Sequence, residues 1–87
     1  MLTASELCDD LHIGREVLDR WIAAGWLSPV IEGSTTGYRD IDVARARLIL
    51  ELGAEFELND HAIGIIIDLI DQIHGLRLAL RHLMALR

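Results

Sequence analysis

Glu16, Asp19, Arg20 and Ala23, within the run "REVLDRWIA", recur at i, i+3, i+4 and i+7, so a helix puts all four on one face. The two carboxylates on such a face accept hydrogen bonds from basic groups and repel phosphate, while the single guanidinium only donates. Val17, Leu18, Trp21 and Ile22 keep the helical period on the other side and mark the face that packs into a core. The chemistry this stretch offers is polar recognition, and the first question is what would be recognised.

The other reactive residue types do not assemble into a site. His12, His61, His74 and His82 are spread along the chain. A metal site wants ligands at turn or i, i+4 spacing with a third group nearby; His74 and His82 are eight residues apart and no carboxylate completes a tight cluster. Cys8 is the single cysteine, so no internal disulfide forms, which suits a reducing compartment. Thr3, Ser5, Ser28, Ser34, Thr35 and Thr36 read as caps and loop residues, with none in a strained nucleophile turn. The loop "EGSTTGYR" lacks the lysine and the following helix of a phosphate-binding loop. The expectation is a protein with no catalytic residues, no metal and no cofactor.

Composition narrows the partner. The chain has 87 residues, which predicts one domain over 1–87, with a compact part at 1–53 and a helical part at 54–87. Apolar residues make up 52%, above the usual soluble range of about 45–50%, so some apolar surface is left for another chain. Formal net charge is −6, from 14 acids and 8 arginines with no lysine. Proteins that live on phosphate contacts are usually basic. Residues 1–10 carry Glu6, Asp9 and Asp10 and no basic n-region, and the longest apolar run, Ala62 to Ile67, is too short to cross a bilayer. These features predict a cytoplasmic location.

The elements that must position the acidic face follow from local signals. "TASE" (Thr3 to Glu6) is a capping box and starts a helix over about Ala4 to Asp10. A second helix runs from Arg15 to Ala24, and Gly25 ends it. Pro29 forbids helix, and the glycines and hydroxyl residues of 33–37 form a loop between short strands near Pro29 to Glu32 and Gly37 to Arg39. Asp40 is placed to cap a third helix over Ile41 to Leu52, stopped by Gly53. Asn59 or Asp60 caps the last helix. In it Ile66, Leu69, Ile73, Leu76, Leu80 and Leu83 alternate at spacings of three and four, a short heptad seam. Ile63 to Ile70 should pack on the domain; Ile73, Leu76, Leu80 and Leu83 are the candidate homodimer contact. Gly75 lies inside the seam and marks a place where the helix could break. Tyr38 should anchor the hairpin to the core, while Arg39 either contacts a phosphate or pairs with Asp40 or Asp42. Trp21 belongs to the core by period, and Trp26, just after the terminating glycine, is the candidate surface anchor.

Capping box, short helix, turn, a helix ending in "AAGWLSP", a hairpin ending in "GYRDID" and a helix with "LILELGAEF" follow one another in order. This succession resembles the MerR family over residues 2 to about 72 and implies a mainly α fold, a winged helix-turn-helix with a small β-wing and a long C-terminal helix. DNA-binding members of that family carry "RTLRYYE" where this chain has "EVLDRWI", so the two arginines become Glu16 and Asp19. The tract "FELNDHAIGIIIDLIDQIHGLR" resembles the long final helix of the chaperone modulator CbpM family, a branch of similarly short acidic proteins. That resemblance implies binding to the J-domain of a DnaJ-like (CbpA-type) co-chaperone and inhibition of its stimulation of Hsp70 (DnaK). It further implies that a basic J-domain helix is the feature to be matched. Between Arg47 and Arg77 this chain has no cation and six acids: Glu51, Glu55, Glu57, Asp60, Asp68 and Asp71. Asp9, Asp10, Glu16 and Asp19 form a second acidic group, and the two groups, without Asp60, which reads as a helix cap, but with Trp26, are the candidate partner surface. A MerR-like DNA-binding transcriptional regulator using Arg15, Arg20 and Arg39, or an adaptor or antitoxin-like module of the same fold, are the alternatives.

Overall fold

Thr3 starts the first helix, α1 (Ala4–Leu11), in the way the capping box predicts. Its hydroxyl accepts from the Glu6 amide at 3.2 Å and the Glu6 carboxylate accepts from the Thr3 amide at 3.0 Å. The Thr3 amide first, and the Thr3 hydroxyl second, favour the charged carboxylate and hold the Glu6 carboxyl below its ordinary pKa. His12, in the left-handed region, ends the helix, and Gly14 begins α2 (Arg15–Ala23). These details come from a computed structural model, which describes residues 1–86.

Gly25 at φ +80° turns the chain sharply after α2, a conformation that glycine adopts without strain. The wing follows: β1 (Val30–Glu32) and β2 (Thr35–Gly37), antiparallel, with Glu32 opposite Thr35. Only Gly33 and Ser34 separate the strands, with Gly33 at φ +62°. A positive φ at the first position alone is the signature of a type II′ hairpin, whose twist suits the flanking strands. The second strand therefore starts earlier than Gly37, the expected position, because the β-branched Thr35 and Thr36 pair instead of looping. Tyr38 then bridges to Leu2, which ties the wing to the N-terminus.

Helix α3 (Asp40–Ala54) has Arg39, not Asp40, at its N-cap, with no side-chain cap bond; Asp40 is its first residue. It also continues through Gly53, where a stop was expected. Gly53 lies beside α4, where an added Cβ would make an ordinary contact with Ile63 Cδ1 at 3.8 Å. The reversal falls later, at Glu57 (φ 54°), and the Leu58 amide closes it on the Leu52 carbonyl. Asn59 caps α4 (Asp60–Ala85) by accepting from the Ala62 amide at 2.9 Å. Helix α4 is continuous through Gly75, so the possible break there does not occur. Each further helical residue adds a hydrogen bond, and the flanking Leu76, Arg77, Leu78 and Ala79 are good helix formers.

One core joins these elements: Leu7 and Leu11 of α1, Leu18 and Trp21 of α2, Trp26, Leu27 and Tyr38 from the loops, Ala46, Ile49 and Leu52 of α3, and Ile63 and Ile67 of α4. Two helices joined by a turn, a two-stranded wing and two further helices constitute a mainly α winged helix-turn-helix with a long C-terminal helix.

Candidate protein-interaction surface

Helix α2 presents Glu16, Asp19, Arg20 and Ala23 to solvent, while Leu18 and Trp21 are buried. The outer face therefore has the placement expected from its spacing. Its charges are largely satisfied within the molecule. Arg15 Nε donates to Asp19 Oδ1 at 2.9 Å, and Arg20 Nε reaches Asp60 Oδ2 at 3.1 Å. The bond to Asp19 raises the Arg15 pKa further. Glu16 folds back over Gly14 at the N-terminus of the helix, where a carboxylate interacts well with the helix dipole.

Of the other acids, Asp9 and Asp10 line a shallow depression with Leu2, Glu6 and Arg47, and Arg47 donates to Asp10 at 2.8 Å. Asp68 lines a different one with Ala24, Trp26, Asp60, His61 and Gly64. Asp71 accepts both Arg45 nitrogens, at 2.6 and 3.4 Å. Glu51, Glu55 and Glu57 are exposed at the end of α3 and just beyond it. The candidate acids thus form several neighbouring patches and not one continuous face. Asp9, Glu16, Glu51, Glu55, Glu57 and Asp68 have no ion-pair partner among the described residues; Asp10, Asp19, Asp60 and Asp71 have one each. Surface pairs of this kind contribute only about 0–1 kcal/mol, so a partner's cation can replace the internal arginine.

Trp26 is not a surface anchor. It is 8% exposed and belongs to the core. The positive φ of Gly25 bends the chain inward, and the Trp26 amide closes the turn on the Trp21 carbonyl. Gly64 of α4 lies under the indole, where a Cβ would stand 3.7 Å from the ring, and Arg45 Nε donates to the Trp26 carbonyl at 2.9 Å. Tyr38 is buried as its anchoring role requires, and that burial raises its phenol pKa. Arg39 pairs with Asp42, its nitrogen 3.5 Å from the carboxylate. Of the partners expected for Arg39 the structure selects Asp42; what the sequence did not reveal is that Asp42 is buried and shares a cleft with Arg45 and Asp71, since that depends on contacts between α3 and α4.

The second half of α4 is exposed throughout. Residues 71–86 are all exposed, including Ile73, Leu76, Leu80 and Leu83 of the seam, and Leu76 keeps 70% of its surface. Leu69 is exposed too, so the apolar stripe begins beside the domain and runs outward. Among the described residues no cluster of three or more His, Cys, Asp or Glu could hold a metal ion, and no helix is long and apolar enough to cross a membrane.

No curated protein and no solved structure matches the chain. The family model for MerR HTH family regulatory protein does, over residues 2–85, which spans the wing, all four helices and the stripe. With its winged helix-turn-helix fold and this match over residues 2–85, the chain belongs to the MerR HTH regulatory protein family.

Proposed function

We propose that this protein is a non-catalytic chaperone modulator, which binds the J-domain of a DnaJ-like (CbpA-type) co-chaperone and blocks its stimulation of Hsp70. The observation that carries the reading is the outer face of α2. The helix that would lie in a DNA groove exposes Glu16 and Asp19, and its arginines are already paired with acids of the same chain. Such a face meets a basic helix with complementary charge, which speeds association and sets specificity. The acids of α3 and α4 extend that field.

A second copy of the chain is the proposed cover for Ile73, Leu76, Leu80 and Leu83, since exposed apolar stripes of this extent mark interaction sites. The cytoplasm, where such co-chaperones work, is the proposed location.

The family match supports a DNA-binding regulator equally as a description. In that reading Arg15, Arg20 and Arg39 hold phosphates. All three sit in ion pairs with Asp19, Asp60 and Asp42, so each phosphate contact first has to displace a carboxylate.

The test is the steady-state ATPase of Hsp70 stimulated by the J-domain co-chaperone. Adding this protein should return the rate to its unstimulated level, saturating at one equivalent of co-chaperone. A stimulated rate that is unaffected at excess modulator overturns the reading.

A further inference from the structure

Asp42 is the one charged side chain that the fold buries among the described residues, at 3% exposure. It stands in the first turn of α3. One oxygen, Oδ1, accepts from the Ser28 amide at a long 3.5 Å; the other, Oδ2, has no hydrogen-bond donor among the described residues. Arg39 comes nearest, with Nε 3.5 Å away, beyond the about 2.7–2.9 Å of a charge-assisted hydrogen bond. Buried carboxylate oxygens are almost always paired, so this one points to a donor that arrives from elsewhere.

Asp42 lines a cleft of about 430 Å³ between the end of α2, the start of α3 and the middle of α4, together with Trp26, Arg39, Ile41, Asp71 and His74. Arg45, also in the lining, has its donors taken by the Trp26 carbonyl and by Asp71. Arg39 is held more loosely: its ion pair with Oδ2 is 3.5 Å long and forms no hydrogen bond, and its side chain is 55% exposed. Once Arg39 swings out, Arg45 and Asp71 cancel and the charge of Asp42 remains. The cleft then favours a cation with directed N–H groups. An anion would face two carboxylates.

We propose that the cleft admits an arginine or lysine side chain of a protein partner, which displaces Arg39 and donates to Asp42 Oδ2 beside Asp71. This deepens the reading above by naming where a basic partner is anchored. It depends on that reading for the partner's identity, while the cation preference stands on the cleft alone.

The test is an NMR amide titration of the full chain with N-acetyl-arginine amide, with N-acetylglutamate as the anionic control. Shifts should centre on Ser28, Arg39 and Asp42 with the cation only. Arg39→Ala, at an exposed position that leaves the fold intact, should tighten binding about threefold by removing the competitor, and Asp42→Asn should abolish it. The sign at Arg39 is decisive even where Asp42→Asn unfolds, since a site built for anions would weaken in Arg39→Ala. Weaker or unchanged binding in Arg39→Ala, or shifts with the anion, overturns the proposal. Titration with the J-domain separates the two claims. If the J-domain binds wild type and both variants alike and the cation gives no shifts, the cleft fails and the modulator reading stands. If the J-domain does not bind while the cation responds as stated, the cation site stands and the modulator reading fails.

Discussion

At the scale of single residues, the two faces of α2 are under different constraints. Leu18 and Trp21 hold α2 in the core, so its inner face is fixed by packing. Glu16 and Asp19 are exposed and contribute little to the fold, and their identity is free to follow function. Replacing both (Glu16→Arg, Asp19→Arg) should leave stability within about 1 kcal/mol. The same change should slow association with the J-domain about tenfold or more at low salt, because charge complementarity acts mainly on the on-rate. Stopped-flow binding beside a denaturation curve checks both statements, and an unchanged on-rate would move the contact to the Glu51 to Asp71 group. Trp26 behaves in the opposite way. Buried against Gly64 and bonded through its carbonyl to Arg45, it should cost about 3–5 kcal/mol when truncated to alanine. Urea unfolding would show that loss, and a Trp26→Ala protein of wild-type stability would contradict its place in the core.

Among the elements, those with strong local signals were legible in the sequence. The capping box marked the start of α1 and Gly25 the end of α2, and of the run Ile63 to Ile70 expected to pack on the domain, Ile63 and Ile67 are core while Ile65 and Leu69 are exposed. What the sequence did not reveal depends on contacts between elements. Gly53 looks like a stop until α3 is seen to run past it beside α4, and Asp40 looks like a cap until Arg39 takes that position. Trp26 looks exposed after a terminating glycine, yet the direction of the turn decides where its side chain goes. The ion pairs that join distant segments, Arg47 with Asp10 and Arg45 with Asp71, have no short-range signature at all. Helix α4 poses the question the fold leaves open, since its second half is exposed throughout. Leu80→Asp puts a charge in the middle of the exposed stripe while touching no core residue. Sedimentation velocity should report a dimer for the wild type and a monomer for this variant; a variant that stays dimeric would remove the seam from the interface.

Over the whole molecule, charge is unevenly spread. All 14 acids lie at or before Asp71, while the projecting end of α4 carries Arg77 and Arg81. The five arginines of the winged part, Arg15, Arg20, Arg39, Arg45 and Arg47, are all in ion pairs. A winged helix-turn-helix with this balance repels a phosphate backbone over most of its surface and attracts a basic protein. Membership of the MerR HTH family supplies the scaffold, and function rests on what the scaffold exposes. The measurement that tests this most directly is calorimetric titration of the full chain with the isolated J-domain of a DnaJ-like co-chaperone at moderate salt. Saturable binding, one J-domain per chain and weaker as salt rises, is the predicted result. No heat with the J-domain, together with DNA binding that falls steeply with salt, would contradict the account and leave the DNA-binding regulator in its place.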